Sequence, residues 1–162
     1  MTVTFFSGKG RRAGVALGAV SAGLLLLSAC EKPTPLATVT VGTASVHTEA
    51  ACYNNGEAIK TSEIQSCLNK TAEKSIEVHA DDKVRFGVDP EIAKNGWTIF
   101  IGGQQAEQQP YKLTYRTIPG SAFFVGGQLG QPAPDKVQVS IVETNGTKLT
   151  GVWHFELKKA TD

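Results

Sequence analysis

The chain carries almost no surplus of either charge: 16 Lys and Arg stand against 15 Asp and Glu, a net +1. A basic field of the kind that holds nucleic acid or anionic headgroups is therefore not expected. Methionine occurs once, at Met1, and cysteine three times, at Cys30, Cys52 and Cys67. A blue-copper centre, built on a thiolate with a weak axial methionine, finds little material here once Cys52 and Cys67 are used in a bridge. Catalytic signatures are missing as well: there is no His-Glu-x-x-His, Gly-x-Ser-x-Gly, phosphate loop or Ser-x-x-Lys. The expectation is a protein that is not an enzyme and holds no cofactor.

The apolar run from Ala13 to Ala29 is rich in Gly and Ala, and it falls short of the roughly 18 to 20 residues that a membrane-spanning helix needs. Lys9, Arg11 and Arg12 precede it, and Leu27-Ser28-Ala29-Cys30 closes it before the polar Glu31 and Lys32. A basic start, an apolar middle and small residues before a cut make a secretory signal. The cysteine directly after Ser28-Ala29 makes it a lipobox, because its thiol accepts a diacylglyceryl group before cleavage. Residues 1–29 thus read as a lipoprotein signal peptide, with Cys30 as the lipidated mature terminus on the extracytoplasmic face of the membrane.

Without Lys9, Arg11 and Arg12, the mature part has 13 basic and 15 acidic residues, a net charge of −2. Residues 30–36 form a short tether stiffened by Pro33 and Pro35. At about 3.3 Å per extended residue it keeps the domain within roughly 20 Å of the anchor. Lipidation leaves Cys52 and Cys67 as an even pair in an oxidising compartment, which reads as a disulfide.

Residues 37–162 form one domain in which apolar residues recur mostly at every second position. Val39 and Val41 alternate with threonines, and Val46 sits between Ser45 and His47. Between the cysteines, Ser62 and Gln65 have capping-box spacing while Ile64, Cys67 and Leu68 share a helical face, so a short helix is expected there. Ile76 and Val78, then Val84, Phe86 and Val88, lie on either side of Asp81-Asp82 and read as a hairpin with one wet face. Pro90 to Gly96 allows one helical turn. Trp97, Ile99 and Ile101 follow as an inward series, then Tyr111, Leu113 and Tyr115 alternate with polar residues. Asn145-Gly146 between two alternating runs is the strongest hairpin signal in the chain. About seven or eight strands and two interior tryptophans imply an all-β fold, an immunoglobulin-like antiparallel sandwich with one or two short helices.

The three histidines, His47, His79 and His154, each fall on the polar parity of their strand. They read as surface residues, and they are the weak candidates for a metal site should the fold bring them together. Ile118 to Asp135 holds four glycines and three prolines around Phe123-Phe124-Val125. Adjacent aromatics on an extended segment cannot both point inward, so Phe123 and Phe124 are the candidate partner-binding residues.

Two segments, Asp82 to Trp97 and Gly151 to Leu157, together with the lipobox, resemble an actinobacterial family of envelope lipoproteins known only as a domain of unknown function. The resemblance implies location and fold, and carries no catalytic residues. The expected role is a membrane-anchored lipoprotein whose domain binds another envelope component, protein or glycan; the alternative is metal binding or delivery through the histidines.

Overall fold

The computed structural model describes residues 33–126 and 132–161. The segment expected to be a signal peptide, Cys30 and the first part of the expected tether lie outside the described residues, as does part of the Gly/Pro-rich segment. Thr34 to Asp162 forms one compact unit.

Among the described residues, ten strands make two sheets. The first is four-stranded in the order β2-β1-β5-β8, with β1 at Ala37–Val41, β2 at Ala44–Thr48, β5 at Lys83–Val88 and β8 at Tyr115–Pro119. The second runs β3-β10-β9-β6-β7, from β3 at Cys52–Tyr53 through β10 at Lys148–Lys159, β9 at Lys136–Asn145 and β6 at Trp97–Ile101 to β7 at Gln104–Gln105. Pairing is antiparallel with one exception: β4, Lys74–Val78, lies parallel to the far half of β10. The single edge of β10 is thus shared, with β3 covering Gly151 and Val152 and β4 covering Phe155 to Lys159.

The two sheets are joined by a common core to which both contribute. Ala37, Val39, Val84 and Phe86 enter it from the first sheet, and Val78, Trp97, Val139, Ile141, Trp153 and Phe155 from the second. Both indoles are fully buried with their N–H groups paired: Trp97 Nε1 donates to the Leu113 carbonyl and Trp153 Nε1 to the Pro35 carbonyl, each at 2.8 Å. An unpaired buried donor would cost on the order of 1–3 kcal/mol, so Pro35 is held by the core and the domain begins before β1.

The hairpin between β9 and β10 forms as its sequence requires, with Asn145 opposite Lys148 and Gly146 supplying the left-handed φ of +64°. The short helix α1, Thr61–Leu68, also forms, but Lys60 precedes it without a side-chain cap and Ser62 lies inside the first turn. The expected capping box is therefore absent, and Gln65 Nε2 instead donates to Asn69 Oδ1. The second helix, α2 at Pro90–Asn95, starts on proline and stops at Gly96, whose φ is +113°.

Two strand expectations need correction. Segments 76–80 and 84–88 are not a hairpin: β4 belongs to the second sheet and β5 to the first, and the turn held by Asp82 crosses between them. Their apolar faces both bury because they close on the same core from opposite sides. Tyr111, Leu113 and Tyr115 do not share one strand either: β8 begins only at Tyr115. Only Tyr111 bridges to Trp97, and in β8 the half-buried Arg116 and the buried Ile118 face the core while Tyr115 points out, 65% exposed. The Arg116 guanidinium takes the inward place by stacking 4.2 Å over the Tyr111 ring and pairing with Glu107.

Candidate functional site

The outer face of the second sheet is not wet along its whole length. Val142 and Val152 are cross-strand partners there, and two apolar side chains on the solvent parity of neighbouring strands require a cover. The cover is α1. The Cys52–Cys67 disulfide ties it to β3, and Ile59, Ile64 and Leu68 complete a second apolar cluster with the two valines.

Beneath the end of α1 lies His154, 3% exposed, directly opposite Ser140 in the register. Its Nε2 is 2.8 Å from the Cys67 carbonyl oxygen, and its Nδ1 is 2.8 Å from Ser140 Oγ. A carbonyl can only accept, so the neutral ring carries its proton on Nε2 and Nδ1 accepts from the Ser140 hydroxyl. Burial lowers the imidazole pKa below its ordinary value; the bond to the Cys67 carbonyl opposes that shift and the nearby Lys70 charge adds to it. Gln138 Nε2 donates 2.9 Å to the Lys70 carbonyl, and Lys70 Nζ reaches the Ala51 carbonyl at 2.5 Å.

Above this network opens a cleft of about 520 Å³ between the β2–β3 connection and the α1–β4 connection. Its walls carry His47, Glu49, Lys70, Glu73 and Lys74, with His154 beneath. The Ser140, His154 and Cys67 carbonyl series has the order of a hydroxyl, an imidazole and an acceptor. Ser140 is only 6% exposed and is not part of the cleft wall, so this network offers no accessible nucleophile. It fastens helix to sheet.

Strand parity alone puts all three histidines on the surface. His47 and His79 are exposed, whereas His154 is buried because α1 lies over its face of the sheet. His47 and His154 border the same cleft, but His79 does not, and among the described residues no three His, Cys, Asp or Glu side chains group so as to hold a metal ion. The carboxylates at the turn and the helix start are engaged by backbone: Asp82 Oδ2 accepts from His79 N and Asp89 Oδ2 from Leu36 N, each at 2.8 Å.

Phe123 is 3% exposed and packs against Phe86 with ring centroids 5.9 Å apart, while Phe124 is half-buried against the same core. They follow a 3-10 turn at Gly120–Ala122. No strand forms over Phe123 to Val125, and Val125 is 67% exposed.

Glu143 is a functional candidate that no sequence motif marks. It is fully buried, opposite Trp97 and Gly151 in the register. Its Oε1 accepts 2.8 Å from Asn95 Nδ2, while Oε2 finds no hydrogen bond of normal geometry among the described residues. Burial raises its pKa; Asn95 and the neighbouring Thr150 hydroxyl oppose the rise, and Glu91 adds to it. Tyr53 is raised in turn by burial, Glu143 and Glu91. The signal was legible, since Glu143 shares the parity of Val137, Val139 and Ile141.

No family model, no curated protein and no solved structure matches this chain.

Proposed function

We propose that the chain is a membrane-anchored extracytoplasmic lipoprotein, lipidated at Cys30, whose domain is not an enzyme and binds another envelope component, protein or glycan. The observation that carries this reading is the Cys52–Cys67 bridge, which uses both cysteines beyond the lipobox and fixes α1 over His154. Structural disulfides persist in oxidising compartments, the destination that the lipobox at Cys30 specifies. The resemblance of residues 82–97 and 151–157 to envelope lipoproteins supports the same location.

The immunoglobulin-like form of the sandwich belongs to this proposal. Two face-packed sheets with both tryptophans in the common core support it. The disulfide, however, joins β3 to a helix outside the sheets and is not the inter-sheet bridge of antibody domains. In the Gly/Pro-rich loop, Phe124 is the ring left partly available to a partner, because Phe123 serves the core. Metal delivery through the histidines draws little support, since both ring nitrogens of His154 already have protein partners.

Radioactive fatty acid fed to producing cells tests the anchor. Incorporation into the wild-type chain and its loss in Cys30→Ala are expected, because two acyl chains are what makes such attachment stable. Persistent labelling of the variant would refute the assignment.

A further inference from the structure

Strand register fixes what the first sheet shows to solvent. His47, Thr38, Gly87 and Tyr115 form one row across β2, β1, β5 and β8. Ser45, Thr40, Arg85 and Thr117 form the next. Both rows alternate with the core-facing Val39, Phe86 and Ile118, so they lie on the outer face. Lys83 lies two residues before Arg85 on the same face of β5, and both are exposed. Neither row contains an acidic side chain, although the mature domain as a whole is net negative.

Resting on the reading that this domain binds an envelope component, we propose that this face is its binding surface and that the ligand is an anionic glycan. Tyr115 offers a flat apolar ring that is 65% exposed, and its neighbour across the strand is Gly87, which places no side chain beside it. Such a ring stacks on the C–H face of a sugar while its hydroxyl stays wet. Thr38, Thr40 and Ser45 line the β2–β1 half of the face with hydroxyls; Thr40 Oγ1 and Ser45 Oγ hydrogen-bond to each other at 3.0 Å, and each hydroxyl keeps capacity for a further bond to a sugar hydroxyl. Arg85 supplies a planar fork for a carboxylate or phosphate, with Lys83 adding charge.

A row of four strands spans about 14 Å at the usual interstrand spacing, room for several sugar rings. A protein partner is disfavoured by composition. The core of a protein interface is apolar and depleted of charge, whereas here Tyr115 is the one large apolar side chain in the two rows.

The test is affinity electrophoresis of the full chain in detergent, through gels containing polygalacturonate, neutral dextran or polyglutamate. Retardation by polygalacturonate well beyond that by the other two is expected, and Tyr115→Ala and Arg85→Ala should each weaken it about tenfold. Both side chains are exposed, so unchanged melting temperatures would confirm that the fold is intact in the variants. Equal retardation by polyglutamate or by dextran, none by polygalacturonate, or an undiminished effect in Tyr115→Ala would overturn the proposal. A chain that incorporates fatty acid at Cys30 yet ignores polygalacturonate would overturn the glycan assignment alone.

Discussion

The His154 imidazole and the backbone carbonyl of Cys67 are joined by a 2.8 Å hydrogen bond, so the strand carrying the buried ring holds the end of the disulfide-bonded helix. Covalent and hydrogen-bonded ties meet at one residue. From that arrangement the behaviour of the domain in acid and in reductant can be stated.

His154→Ala should cost on the order of 3 kcal/mol, because it opens a cavity and strands the Ser140 hydroxyl and the Cys67 carbonyl in the interior. Burial lowers the folded pKa of His154, so its contribution is complete above about pH 6.5, the unfolded value. It is lost as pH falls from there through the folded pKa. Urea titrations from pH 7.5 down to 5 should show the wild-type stability falling more steeply than that of the variant.

Glu143 should act in the opposite sense. Its folded pKa is raised by burial, so its contribution is most favourable below about pH 4.5 and declines as pH rises through the folded value. Glu143→Gln keeps an oxygen that can accept from Asn95 and removes the buried charge. The variant should therefore melt at a higher temperature than wild type at pH 7.5, with the gap closing toward pH 4.5. A gap independent of pH would show that packing, not ionisation, separates them.

Reduction of the Cys52–Cys67 bridge, or replacement of both residues by alanine, should lower stability by about 3 kcal/mol in the loop-entropy account. The two cysteines are 15 residues apart in the chain. Amide exchange should accelerate first in α1 and β3, the elements the bridge joins. Mass spectrometry of the non-reduced protein provides the direct check, since two free thiols would remove the premise.

Gly120→Ala should be among the more damaging small substitutions. A Cβ at that position would collide with the backbone carbonyl of His79 and touch Val78. Neither neighbour is the free end of a flexible side chain, so about 2 kcal/mol or more should be lost, as in other overpacked sites. Thermal melts of this variant beside Gly103→Ala would separate crowding from backbone strain, because the latter site is open but has a φ of +82°.

Phe123→Ala should cost about 3 to 4 kcal/mol, as for other buried aromatic truncations. Phe124→Ser should cost less than half as much, because that ring is only half-buried against the core. Comparable losses at the two positions would mean that Phe124 has no surface left for a partner.

The sequence alone is enough to specify most strands, the turn at Asn145-Gly146, the cysteine pairing and the burial of both tryptophans, because these depend on side-chain parity, local turn geometry or the number of cysteines. Parity states which residues share a face of a strand; it does not state which strand lies alongside or what covers the outer face. The parallel docking of β4 on β10 was invisible for that reason, as was the division of β4 and β5 between two sheets. His154 has the parity of a surface residue and becomes a core residue only because α1 covers Val142, Val152 and the ring itself. Tyr115 alternates with polar residues in the sequence, yet the polar Arg116 takes the inner place because Tyr111 and Glu107, brought back by the preceding loop, satisfy its charge. The flat face on which Tyr115, Gly87 and Arg85 meet exists only in the register of separate strands, a long-range choice made by the common core rather than by any local sequence.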